Sequence, residues 1–253
     1  MGWLSGVIGG GLGAMIAGPF GAVMGAALGA SMGGGQRQGM SPAGFNHSQQ
    51  KQAIFFTAAF SMVGKLAKAD GRVCPNEIAA IEKIAKETLG LDTQTRAYAI
   101  KVFEQAKDSP ESFSDYARQF GELFSTDQQM CNFMLSFLFQ VAMADGELHP
   151  QEEKMLLEAK TAFGVHESIY QSLRSRYVGL KSTSVSLSKH YETLGIESTA
   201  TAAEIKKAYR KKATEFHPDK IEGKGLPPEF IKFANDQLAT VNEAYDTIMT
   251  SKK

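Results

Sequence analysis

The stretch Glu204 to Lys220, which reads EIKKAYRKKATEFHPDK, restricts the possible folds of this chain more than any other. Ile205, Ala208, Tyr209, Ala213 and Phe216 recur at helical spacing and give one apolar face to be buried. Lys206, Lys207, Arg210 and Lys211 fall on the opposite face. Thr201 and Glu204 form a T-x-x-E capping box, in which each side chain satisfies a backbone N–H of the other residue and so fixes the helix start. Pro218 cannot continue the helix, and its ring pushes His217 out of the helical region of backbone space. The sequence therefore predicts a cationic amphipathic helix that ends at a defined corner carrying His217, Pro218 and Asp219.

A His-Pro-Asp corner after a Lys/Arg-rich helix resembles the J domain of DnaJ-type (Hsp40) co-chaperones. The resemblance runs from Lys189 to Ile248. Tyr191, Leu194 and Gly195 match the Y-x-x-L-G signature of a short first helix. Pro228 to Ile248 is similar to the third, antiparallel helix of the J hairpin. Lys212 departs from the pattern: J domains usually place a buried leucine there, so either its stem snorkels along the helix pair or the packing is looser at that point. The loop Lys220 to Phe230, and a chain end directly after the third helix, resemble the DjlA family of membrane-anchored DnaJ-like co-chaperones. No Gly/Phe-rich region and no C-x-x-C zinc repeats follow the hairpin, so substrate handling of the general DnaJ kind is not expected.

The other end of the chain is of opposite character. Trp3 to Gln36 contains no charged residue and is filled mostly by Gly, Ala, Met, Leu, Ile, Val and Phe. About 20 apolar residues suffice for a bilayer-spanning helix. Gly21, Gly25, Gly29 and Gly33 repeat every four residues, which strips one helix face and suits close helix association, so a homodimer through this face is expected. The competing reading is a flexible or hairpin-forming segment broken at Gly18-Pro19. Arg37 and Lys51 flank only the C-terminal side, which places the N-terminus in the periplasm and the remainder in the cytoplasm of a single-pass inner-membrane protein. The expected layout is an anchor over 1–35, a linker over 36–49, a helical domain over 50–178, a second linker over 179–187 that lets the C-terminal domain move, and the J-like domain over 188–253.

Between the ends, helical periodicity dominates and strand signals are nearly absent, so the fold class is all-α. Helices are predicted over 50–69, 75–89, 93–107, 110–124, 126–144, 150–163 and 166–177, with Ser125 and Gln128 read as a capping box. The dense apolar runs Phe55, Phe56, Phe60, Met62 and Phe133, Met134, Phe137, Leu138, Phe139 are expected to form the two central helices; a peptide-binding groove is the lesser alternative. Residues 66–77 align without gaps on 141–152, repeating A-D-G-x-[VL]-x-P-x-E. That repeat resembles TerB, the tellurite-resistance-associated fold, a domain that DjlA proteins carry between anchor and J domain. The resemblance brings in a hard-cation site at Asp70, Glu77, Asp145 and Glu152, since oxygen ligands suit Ca²⁺. The same residues are explained by structure alone, Asp and Gly building a turn and Glu facing a helix dipole, and this reading is preferred.

Charge and cysteine content close off other classes. The 27 basic and 27 acidic residues cancel, which gives no support to nucleic-acid binding by counterion release. Cys74 and Cys131 stand far apart and are expected to be reduced and buried. No nucleophile–base spacing or phosphate-cradling loop points to an enzyme, and no cofactor is expected. The J-domain resemblance implies a DnaK-type Hsp70 partner, with Lys206, Tyr209, Arg210 and Lys211 lying against it and His217, Pro218 and Asp219 triggering its ATP hydrolysis. The alternative is a stress-responsive metal sensor acting through the TerB-like domain.

Overall fold

The computed structural model describes residues 17–29, 47–69, 81–178 and 187–252. Every element among them is helical. The helices are α1 (Pro19–Gly29), α2 (His47–Ala67), α3 (Thr93–Asp108), α4 (Phe113–Leu123), α5 (Gln128–Ala142), α6 (Pro150–Ala162), α7 (Glu167–Val178), α8 (Leu187–Leu194), α9 (Ala202–Glu215), α10 (Pro218–Glu222) and α11 (Ile231–Ser251), with a π turn at Ile84–Thr88 and a 3-10 turn at Pro228–Phe230.

The helix starts follow local chemistry. Asp92 accepts from the backbone N–H groups of Gln94 and Thr95 and opens α3. Helix α4 begins after Ser112, not at Pro110 as predicted, because Ser112 and Asp115 make a reciprocal capping box. The box expected at Ser125 and Gln128 does not form: Ser125 Oγ donates to the Glu122 carbonyl (2.9 Å), and α5 starts one residue after Asp127.

Helices α2 and α5 form the centre of the first domain, as their apolar runs require. Phe55, Phe56, Phe60, Met62, Phe133, Met134, Phe137, Leu138 and Phe139 are all fully buried, which makes them core and not the lining of a peptide groove. Two glycines bring backbones together. A Cβ on Gly64 would lie 2.7 Å from the Phe103 carbonyl oxygen, and one on Gly121 only 2.0 Å from that of Ala162. Glycine is thus what allows α2 to lie on α3 and α4 on α6.

Helix α1 lies on this domain. Phe20, Val23, Met24 and Ala27 form its buried face, and Phe20 meets Tyr116 with ring centroids 5.6 Å apart. Gln119 holds its start, accepting from the Phe20 N–H (2.9 Å) and donating to the Ala17 carbonyl (2.6 Å). Gly18 has φ +92° and Pro19 follows, so the helix starts there and no unbroken helix runs from Trp3 to Gln36. Among the described residues no helix is long and apolar enough to cross a membrane. Gly21 is buried and Gly25 faces open space; the side of Gly29 and all of Gly33 lie outside the described residues.

The C-terminal hairpin is seated on the first domain through a shared aromatic core. Phe230 meets both Phe55 and Phe137 at 5.1 Å, and Phe133 meets Phe233 at 5.2 Å and Phe216 at 6.3 Å. Each buried phenylalanine contributes roughly 1.5–3 kcal/mol by removal from water. The linker expected over 179–187 to let the hairpin move lies outside the described residues except at Leu187, which is already the first residue of α8; the hairpin itself is docked.

Candidate functional site

The corner is built by the hairpin that carries it. Helix α8 ends at Gly195 with φ +69°, a left-handed position that glycine fills without strain, and the Ile196 N–H returns to the Tyr191 carbonyl (3.0 Å). Tyr191 and Leu194 point into the core, which accounts for the Y-x-x-L-G pattern. Thr201 opens α9 as predicted: its N–H donates to Glu204 Oε2 (2.8 Å) and its Oγ1 accepts from the Glu204 N–H (3.3 Å). The Thr201 N–H and the Thr201 hydroxyl, which also donates to Glu204 Oε2 (2.8 Å), hold the Glu204 carboxyl below its ordinary pKa. Ile205 and Phe216 are buried, and Tyr209 stacks on Tyr245 of α11 with centroids 4.2 Å apart while its hydroxyl donates to Asn242 Oδ1 (3.2 Å). The two long helices are therefore paired.

At the end of α9, His217 is extended (φ −66°, ψ 119°) and Pro218 is the first residue of α10. The His217 carbonyl accepts from the Lys220 and Ile221 N–H groups at 3.0 and 3.2 Å, and Ile221 and Leu226 anchor the turn from inside. The corner itself points outward. The His217 side chain is 47 % exposed and that of Asp219 85 %, with Nδ1 and Oδ2 4.0 Å apart. Lys206, Arg210 and Lys211 are exposed, whereas Tyr209 and Pro218 are half-buried. One continuous surface thus presents a row of cations, an aromatic ring and the His-Pro-Asp corner.

Lys212 is neither snorkelled into solvent nor loosely packed. Only 8 % of it is exposed, and its Nζ lies 3.4 Å from Ser172 Oγ on α7. Arg176 on the same helix is 5 % exposed; its guanidinium lies 5.8 Å from the Tyr177 and Phe216 ring centroids, and its Nη2 donates to the Gln237 carbonyl (3.4 Å). Burial lowers the pKa of both cations. Sequence reasoning missed Arg176, and also Asp127 and Gln129 on the start of α5, which reach Lys224 and the end of α9. These pairs are 85 to 97 residues apart in the chain, and no local pattern announces them.

The cation candidates are divided by what is described. Asp70 and Glu77 lie outside the described residues. Asp145 Oδ1 accepts from the Glu147 N–H (2.9 Å) at a turn where Gly146 has φ +86°, and Glu152 Oε2 accepts from the His149 N–H (3.0 Å) ahead of Pro150. In the second repeat both carboxylates thus do the work of turn and cap. Among the described residues no group of three or more His, Cys, Asp or Glu is placed to hold a metal ion. Cys131 is buried and free, its thiol pushed up to about 11 by burial; Cys74 lies outside the described residues.

Comparison with known proteins agrees with this geometry. Residues 56–175 match the family described as tellurite resistance protein TerB, and residues 189–253 match the DnaJ domain. The chain is 30 % identical to co-chaperone protein DjlA of Photobacterium profundum over 81 % of its own length and 80 % of that protein's. It is 30 % identical to DjlA of Coxiella burnetii over 78 % and 77 %, and 28 % identical to DjlA of Escherichia coli K12 over 83 % and 84 %, respectively. No solved structure matches the chain.

Proposed function

The chain belongs to the DjlA family of co-chaperones, and we propose that it binds a DnaK-type Hsp70 through its J domain and stimulates that partner's ATP hydrolysis. The observation that carries this reading is the outward-facing His217–Asp219 corner, continuous with the exposed cations of α9. Lys206, Arg210 and Lys211, with Tyr209 at their edge, lie against an acidic face of the partner. Complementary charge raises the encounter rate and fixes register. His217, Pro218 and Asp219 then engage the junction between the partner's nucleotide-binding domain and its linker, where the Asp219 carboxylate competes for an arginine and biases the partner toward hydrolysis. The chain itself does no covalent chemistry in this scheme. His217→Gln and Asp219→Asn are expected to abolish stimulation in a single-turnover ATPase assay while leaving the thermal midpoint unchanged. Stimulation at the parental level by either variant refutes the mechanism.

The same proposal places the activity at the bacterial inner membrane, on the strength of the uncharged run Trp3–Gln36. A span that includes α1 requires Phe20, Val23, Met24 and Ala27 to leave their seat on the helical domain. Carbonate extraction of membranes from cells expressing the full chain tests it: a tether stays in the pellet, and release into the supernatant removes the tether from the scheme. Self-association through the glycine face is tested in detergent by Gly25→Leu, which must lower the oligomeric state if that face is used.

A further inference from the structure

The corner is gripped from both sides by a single turn of the other domain. On the side before it, Gln129 Nε2 donates to the carbonyl oxygens of Thr214 (3.0 Å) and Glu215 (2.8 Å). Thr214 and Glu215 are the last two residues of α9, where a helix leaves its carbonyls to be satisfied from outside. On the side after it, Asp127 Oδ1 accepts from Lys224 Nζ (2.9 Å). Asp127 is the residue ahead of α5, a position where an aspartate usually caps its own helix, yet its side chain makes no capping hydrogen bond. The carboxylate is directed to Lys224 instead. Phe216, immediately before His217, rests against Phe133 of α5. Between the two grips runs α10, only five residues long, which is too short to hold a direction by its own hydrogen bonds.

We propose that Asp127 and Gln129 of the TerB-like domain are positioning residues for the His217–Asp219 corner, fixing the direction in which the J domain presents it to its partner. The TerB-like domain is then part of the co-chaperone's working surface and not a spacer. The proposal rests on the Hsp70 reading for its consequence but not for its geometry. Neither residue needs to touch the partner: the amide of Gln129 and the carboxylate of Asp127 are both engaged by the hairpin.

The test uses the full chain and two measurements. Amide hydrogen exchange of Phe216, His217, Asp219, Lys220 and Ile221 reads the corner, and single-turnover stimulation of a DnaK-type Hsp70 reads its use. Gln129→Leu removes the donor to both carbonyls and is expected to speed exchange at these amides roughly fivefold, the worth of one net hydrogen bond, and to lower stimulation by a similar factor. Lys224→Asp sets two carboxylates against each other and is expected to do at least as much. The exchanged pair Asp127→Lys with Lys224→Asp restores the attraction and is expected to recover both readouts. Recovery separates positioning from a direct contact of Lys224 with the partner, which the exchanged pair leaves broken. Unchanged exchange in Gln129→Leu, faster exchange with parental stimulation, or failure of the exchanged pair to recover overturns the proposal. If the parental chain gives no stimulation, the Hsp70 reading falls, and the exchange data alone decide whether the grip holds the corner.

Discussion

Lys212 Nζ lies 3.4 Å from Ser172 Oγ, across the seam where α9 of the hairpin meets α7 of the helical domain. The ammonium has been taken out of water, and among the described residues its hydrogen-bond partner is the neutral Ser172 hydroxyl. Its charged neighbours are Glu215, which favours the ammonium, and Arg176 and Lys211, which oppose it. Burial dominates and holds the pKa below the ordinary 10.5. The seam thus joins two domains by aromatic packing while carrying a charge that weakens it.

Replacing Lys212 with methionine is expected to stabilise the chain by ~1–4 kcal/mol, the range seen when buried charge gives way to apolar packing. The charge also makes the parental chain sensitive to pH in a known direction. Below the lowered pKa, folded and unfolded states both hold the proton and nothing changes. Between that pKa and 10.5 the folded state has released a proton that the solvated lysine keeps, so stability rises with pH. Buried tyrosines such as Tyr98, pushed up to about 12, act oppositely above 10, and the Cys131 thiol, pushed up to about 11, does so above 9, where in each case only the unfolded state ionises. Urea midpoints between pH 7 and about pH 9 are expected to climb in the parental chain and to climb less in Lys212→Met.

Phe230 belongs to the hairpin by sequence and to the first domain by its neighbours, Phe55 and Phe137. Phe230→Ala is expected to cost about 3–5 kcal/mol. Its signature in calorimetry is a single unfolding transition that separates into two, because the mutation removes the ring that meets both Phe55 and Phe137 and leaves Phe216 and Phe233 to carry the shared core.

Gly121 and Gly25 are both helical glycines with opposite surroundings. A methyl group at Gly121 would collide with the Ala162 carbonyl, so Gly121→Ala must push α4 off α6 and is expected to lower stability by at least about 1–3 kcal/mol. Nothing lies within 4 Å of a Cβ at Gly25, so Gly25→Ala is expected to be neutral or to stabilise α1 by up to ~1 kcal/mol. Thermal unfolding of the two variants distinguishes them.

Lys206 and Arg210 are exposed on α9. If they steer the partner, Lys206→Ala with Arg210→Ala lowers the apparent affinity in the ATPase assay and flattens its dependence on ionic strength, since exposed charges are screened within about 8 Å at 0.15 M salt. An unchanged salt dependence removes these residues from the docking surface.

The hairpin was legible because its determinants are local. Thr201 and Glu204 lie one turn apart, Pro218 acts on the residue before it, and Tyr191, Leu194 and Gly195 specify a helix end without reference to anything distant. The second A-D-G repeat was legible for the same reason, Asp145 and Glu152 each bonding within three residues. Where a neighbour offered better chemistry the reading slipped: Ser112 displaced Pro110 as the start of α4, and Ser125 turned back to Glu122.

By itself, the order of residues determined that the chain is helical, where most helices begin, which apolar runs are core, and that a basic helix ends at a His-Pro-Asp corner. Only the tertiary structure decided what that corner is fastened to. Asp127 meets Lys224, Gln129 meets the end of α9, Phe230 enters the aromatic core of the first domain, and Lys212 reaches Ser172. Backbone hydrogen bonds and caps act over one to four residues and leave a periodic trace in the chain. Contacts between domains depend on which surfaces meet after the helices have formed, and neither partner's local sequence records the other.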